Sequence, residues 1–325
     1  MLKQSFNIRI LVIFLIVITA GCASYKAVQA DSQSAADRPS IAEFSALLDT
    51  FENAAATLAA GSPSKSGKLS NPGSPSGTFH QSAGKFWFAH MESFNANPDD
   101  YRKVLDQYYR LQAKFPLERS IKLDQYQATI DQFKQFDQRN TLPSDPVLFI
   151  GSSSIVYWET AQAFPDHSVI NRGFGGASLE EIIHYYDEIV KPYQPTAVVI
   201  YCDINIEMGQ QPKAVLALYK TLLVRIEQDF PQAQILLLSM KPTMVDHILG
   251  REVLKNKINT NKQLKAFSQQ KDNLHFVDVG EALRLNDGRV NPDLFLDGMH
   301  LNRKGYQQWN PLMKRALNQV MQELR

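Results

Sequence analysis

Two stretches of this sequence hold residue types that could do covalent chemistry together. In the first, Pro146-Val147-Leu148-Phe149-Ile150 is followed by Gly151 and three serines, Ser152, Ser153 and Ser154. In the second, Leu296-Asp297-Gly298-Met299-His300-Leu301-Asn302 sets a carboxylate three residues before an imidazole, across a glycine turn. A serine hydroxyl becomes a nucleophile when a base takes its proton, a third group orients the base, and donors receive the oxyanion. Asp-x-x-His can bring the carboxylate onto Nδ1–H of the same ring, leaving Nε2 to take a hydroxyl proton. The serine turn also has a plainer reading, as the cap of a helix. An Asp–His pair at this spacing arises by chance as well. Neither stretch decides the matter alone.

The elements that would position them read as an α/β body. The apolar run 146–150 is uninterrupted, as in a strand buried on both faces of a parallel sheet. Further strands are expected at Ser168 to Asn171, Ala197 to Cys202, Gln234 to Met240 and Leu274 to Val279. Helical patterns fall between them, near Ser178 to Val190, Lys213 to Asp229, Glu252 to Gln270 and Asn302 to Leu324. Repeated βα units imply a parallel sheet with helices on both faces. In such a fold the serine turn lies at the carboxyl edge of the sheet, where ligands bind, and at a helix N-terminus that favours negative charge. Gly173-Phe174-Gly175-Gly176 lacks the rest of a dinucleotide fingerprint, so a nucleotide site is not expected there.

The sequence has seven histidines, and position sorts them. His80 and His90 precede the α/β body, while His184 in a helix pattern and His275 in a strand read as structural. His167 and His247 fall in loops and stay open as bases; His300 stands in the loop before the last helix, with its own carboxylate.

Composition sets the class. Hydrophobic content of 44% with 21% charged residues is ordinary for a globular protein with a sizeable core. A net charge of +1 gives no electrostatic argument for a nucleic-acid partner. Only two cysteines, Cys22 and Cys202, occur, so there is no zinc-type spacing. At the N-terminus, Lys3 and Arg9 precede the apolar run Ile10 to Ile18, then Thr19-Ala20-Gly21-Cys22. A basic start, a short apolar core and small residues describe a secretory signal, and the run is short of the ~20 residues of a membrane span. Cys22 directly after Ala-Gly resembles a bacterial lipoprotein signal, which implies lipidation at Cys22. The expected organisation is a signal at 1–22, a Ser/Ala/Gly/Pro-rich linker at 23–84, a helical extension at 85–142 and the α/β domain at 143–325. Within the linker, Ile41 to Ala60 has apolar residues at helical spacing. In the extension, helices are expected from Asn97 to Lys114 and from Leu123 to Asn140, the second with a packing stripe of Tyr126, Ile130, Phe133 and Phe136.

With these residues set out, the chain from about Tyr126 to Trp309 resembles the SGNH (GDSL-type) esterases and acylhydrolases, in particular bacterial members similar to the platelet-activating-factor acetylhydrolase catalytic subunits. The first family block is matched by Phe149-Ile150-Gly151-Ser152-Ser153-Ser154-Ile155, with serine where aspartate often precedes the nucleophile, which puts that role on Ser153. The second resembles Ile170-Asn171-Arg172-Gly173-Phe174-Gly175-Gly176-Ala177-Ser178, with Gly176 supplying an oxyanion N–H. The third, usually Gly-x-Asn-Asp, is matched in part by Asp203-Ile204-Asn205-Ile206, with the Asn205 amide as a further oxyanion donor. The last is matched by Asp297 and His300.

The resemblance implies a flavodoxin-like three-layer α/β/α fold with a five-stranded parallel sheet. It implies a serine esterase with Ser153, His300 and Asp297 as triad and Ser153, Gly176 and Asn205 around the oxyanion. It needs neither cofactor nor metal, and its partner would be a small-molecule or glycan ester. The N-terminal lipid would add a membrane anchor in the bacterial cell envelope, facing the periplasm, at the outer membrane. Asp203 stands where the family has glycine and Ile206 where it has a second aspartate. A carboxylate aimed into the oxyanion site would oppose the forming charge. From that follows the alternative expectation, a catalytically impaired lipoprotein of this fold that binds a glycan or protein partner.

Overall fold

Apolar spacing, more than composition, decides where this chain forms helices and strands. The computed structural model describes residues 39–60, 75–115 and 121–323. The chain divides into two compact units, Met1–Ser120 and Ile121–Arg325. The lipoprotein-type signal and Cys22 lie outside the described residues. Among the described residues, no helix is long and apolar enough to cross a membrane.

In the first unit, helices α1 (Ile41–Ala60), α2 (Pro75–Ala96) and α3 (Arg102–Lys114) are held by aromatic rings. Phe44 stacks on Phe86 at 3.9 Å, and Phe79 on Tyr108 at 5.7 Å. The expected helix at Ile41–Ala60 is present. Order does not wait until Phe86, however: α2 begins at Pro75, inside the stretch read as linker. The Gly/Ser/Pro-rich composition hid the reason, which is that Phe79, Ala83, Phe86 and Trp87 recur on one face and are all buried.

In the second unit, a 3-10 turn (Leu123–Tyr126) leads into α4 (Gln127–Arg139). Ile130 is buried with the sheet core, and Asp137 accepts from Arg172 and from Tyr193 Oη at 2.5 Å. The helix therefore belongs to the α/β unit, and the boundary falls at 120 rather than 142. Of its stripe, Tyr126 and Ile130 are buried, whereas Phe136 is 53% exposed and lies 5.9 Å from the Arg172 guanidinium.

The sheet and its connections then run β1 (Val147–Gly151), α5 (Ser153–Val156), α6 (Thr160–Ala163), β2 (Val169–Gly173), α7 (Leu179–His184), α8 (Tyr186–Ile189), β3 (Ala197–Tyr201) and α9 (Ile204–Glu207). They continue through α10 (Pro212–Asp229), β4 (Gln234–Leu238), α11 (Asp246–Leu249), α12 (Val253–Ser268), β5 (Leu274–Val277) and α13 (Arg303–Glu323). The five strands pair in parallel in the order β2-β1-β3-β4-β5. This is the expected fold class. The strand order reverses between β1 and β3, the switch point at which open α/β sheets bind ligands. The helix expected from Ser178 to Val190 is two, broken at Tyr185.

β1 is buried at every residue, as a central strand covered by helices must be. It ends on Gly151, with φ +148, where a Cβ would stand 2.0 Å from the Tyr201 carbonyl oxygen. Only glycine lets β1 approach β3 this closely and still turn into α5.

Candidate active site

The turn after β1 separates its three serines. Ser152 precedes α5 and is fully buried; Ser154 is buried as well, its hydroxyl accepting from Lys241 Nζ at 3.0 Å. Ser153 alone reaches solvent. Its Oγ lies 3.1 Å from His300 Nε2.

The His300 loop is shaped by its own aspartate. Asp297 Oδ1 accepts the backbone N–H groups of Met299, at 3.0 Å, and His300, at 2.7 Å. Gly298 takes φ +78, a left-handed conformation that glycine adopts freely. The remaining oxygen, Oδ2, accepts from His300 Nδ1 at 2.7 Å. With Nδ1 as donor to a carboxylate, Nε2 is the acceptor for the Ser153 hydroxyl. Burial pushes the Asp297 carboxyl up, but the His300 hydrogen bond and charge and the two backbone donors outweigh it. The carboxyl therefore sits below its ordinary value and stays ionised. The Tyr157 ring meets His300 edge-on at 5.2 Å and helps hold the imidazole plane.

Among the described residues of the α/β unit, no other histidine is bonded to Ser153. His167 Nε2 meets Asn318 Oδ1 at 3.3 Å, and His275 Nε2 meets Gln234 Oε1 at 2.7 Å. His247 is half-buried on α11, and desolvation pushes its pKa down to about 3.

Among the described residues, the backbone N–H groups of Ser153 and Gly176 have no protein acceptor. Asn205, the third expected donor, is engaged. Its Oδ1 accepts from Leu179 N at 2.9 Å, and its Nδ2 donates to Glu180 Oε2 at 2.5 Å and Gln210 Oε1 at 3.2 Å.

Asp203 is part of a buried ionic cluster. Its Oδ2 accepts from Lys241 Nζ at 3.2 Å and Tyr201 Oη at 2.5 Å, with Lys257 Nζ at 3.6 Å. Lys257 Nζ also donates to Glu207 Oε1 at 2.7 Å and Asp246 Oδ1 at 2.8 Å. Burial alone would raise the Asp203 carboxyl, but the two lysine charges and the Tyr201 and Lys241 hydrogen bonds hold it below its ordinary value. Desolvation and the Asp203 charge push the Glu207 carboxyl up, within a cluster of three acids and two lysines. Burial also pushes the Cys202 thiol well above its ordinary value, so it is not a nucleophile.

Sequence reasoning missed this cluster. A signal existed: Asp203 and Lys241 each follow an apolar strand by two or three residues, and those strands, β3 and β4, are neighbours. Opposite charges at adjacent strand ends can meet.

Residues 154–308 match the model of the GDSL-like lipase/acylhydrolase family. That match takes in most of the α/β unit and just under half of the chain. Among solved structures, a protein from Streptococcus pneumonia described with platelet activating factor aligns with TM-score 0.54 and 20% identity, over 60% of this chain and 94% of the other. A GDSL-like lipase from Bacteroides thetaiotaomicron VPI-5482 gives 0.52 and 18%, over 59% and 98%. A protein from Bacteroides fragilis NCTC 9343, described as an acylhydrolase, gives 0.50 and 21%, over 59% and 97%. At these identities the likeness is one of fold. No curated protein matches the chain. Within this fold the hydrogen-bonded chain Ser153–His300–Asp297 joins residues that are 147 apart in sequence at the Ser153–His300 bond.

Proposed function

We propose that this GDSL-like domain is a serine esterase acting on carboxylic esters of short acyl groups. The observation that supports it most is the unbroken path from Asp297 Oδ2 to His300 Nδ1, 2.7 Å, and from His300 Nε2 to Ser153 Oγ, 3.1 Å. His300 takes the Ser153 proton as Oγ attacks the ester carbonyl, and Asp297 stabilises the imidazolium. The N–H groups of Ser153 and Gly176 receive the oxyanion, joined by the Asn205 amide. His300 then gives the proton to the leaving alcohol, and water resolves the acyl-enzyme by the same path reversed. The pairing of Asp203 with Lys241 and Lys257 balances its charge within the protein, which weakens the motive for a non-catalytic reading.

Export and lipidation at Cys22 would tether this chemistry in a bacterial envelope, facing the periplasm, where acyl groups on cell-envelope polysaccharides are a fitting substrate class. Turnover of p-nitrophenyl esters of graded acyl length, with Ser153→Ala as control, tests the proposal. Activity should be greatest on acetate and vanish in the variant. Undiminished turnover by Ser153→Ala would end it.

A further inference from the structure

The side chain of Asn205 is fully buried, and each of its hydrogen-bonding positions faces protein. Its oxygen holds the first N–H of α7 through Leu179, and its nitrogen is shared between Glu180 and Gln210. A primary amide has two hydrogens to donate, so the resting arrangement leaves none for a substrate. The two acceptors are themselves joined, Gln210 Nε2 donating to Glu180 Oε1 at 2.8 Å. Both are half-buried rather than sealed in, so they have solvent into which to withdraw. The Ser153 and Gly176 N–H groups have no such cover.

We propose that Glu180, assisted by Gln210, is a positioning residue that covers the Asn205 amide, and that release of this amide to the oxyanion limits ester turnover. The inference rests on the Ser153 esterase reading. Its physical basis is a competition between acceptors. A hydrogen bond to a carboxylate is about twice as strong as one between neutral groups, so a neutral ester carbonyl does not displace Glu180. The oxyanion, which is charged, competes on equal terms, and the exchange happens on the way to the transition state. Glu180 thus taxes the transition state and not the bound ester, so its removal should act on kcat and not on KM.

The test uses the full chain. Glu180→Gln keeps the size and an acceptor but removes the charge, and Glu180→Ala removes the cover. With p-nitrophenyl acetate, kcat should rise about tenfold or more in both, the factor carried by about 1.4 kcal/mol of barrier, with KM unchanged. The rate of fluorophosphonate labelling at Ser153 should rise in parallel. Adding Asn205→Ala to Glu180→Gln should abolish the gain, because the effect passes through that amide. A residue that merely braces α7 would give a kcat at or below that of the unmodified chain, and this result overturns the proposal. So does a gain that survives Asn205→Ala. If Glu180→Ala lowers the melting temperature, the near-isosteric Glu180→Gln still decides. Failure of the esterase reading looks different: turnover that persists without Ser153.

Discussion

Lys241→Met is the sharpest perturbation of the buried cluster. Lys241 Nζ lies 3.2 Å from Asp203 Oδ2, 3.0 Å from Ser154 Oγ and 3.1 Å from Tyr201 Oη, and the lysine is almost wholly buried. Its removal leaves Asp203, Glu207 and Asp246 facing the single ammonium of Lys257. Breaking a buried pair from one side costs about 3–5 kcal/mol, of which protonation of Glu207, already pushed up, relieves a part. We predict a loss of about 4 kcal/mol, the middle of that range. With a urea slope of about 2 kcal/mol per molar, the midpoint should fall by about 2 M. Urea unfolding followed by tryptophan fluorescence reads this, since Trp158 and Trp309 are both buried in the α/β unit. Adding Asp203→Gly removes the stranded anion and should restore roughly half of the loss, a coupling typical of residues in contact. A loss under about 1 kcal/mol, the worth of an exposed pair, would refute the reasoning. So would a double variant that loses the sum of the singles.

Gly151→Ala forces a Cβ to 2.0 Å from the Tyr201 carbonyl oxygen; it should lower both stability and esterase kcat, read by thermal unfolding and p-nitrophenyl acetate turnover. Phe149→Ala, in fully buried β1 with Phe164 stacked at 5.5 Å, should cost about 3–5 kcal/mol. Asp297→Asn should lower kcat about 10⁴-fold by freeing the wrong tautomer of His300. It should also change stability with pH in a defined direction. The Asp297 carboxyl is depressed in the folded chain, so its stabilisation is complete above the unfolded value of about 3.9 and is lost as pH falls through the lower folded value. The stability advantage of the unmodified chain over Asp297→Asn should therefore shrink below about pH 4.

How much of this was legible beforehand follows from which interactions are local. β1 could be read because a strand buried on both faces is a continuous apolar run. Asp297 and His300 could be read because their hydrogen bonds span three residues and a glycine turn. Ser153 could be told from Ser152 and Ser154 only by family register, since burial separates the three and burial is set by the fold. The Asp203–Lys241–Lys257 cluster was hidden because its members lie 38 and 16 residues apart along the chain and meet only when β3, β4 and α12 pack. The cover over Asn205 was hidden for the same reason: Glu180 looks like any acid in a helix's first turn. Helix α2 was obscured differently, by glycine, serine and proline that mask the apolar face of Phe79, Ala83 and Phe86.

The central claim is that Ser153 is a nucleophile activated by His300. Mass spectrometry of the full chain after exposure to a fluorophosphonate tests it most directly. The account predicts one adduct, on the peptide containing Ser153, lost in Ser153→Ala and slowed greatly in His300→Ala. No adduct, or one on another residue, would contradict it.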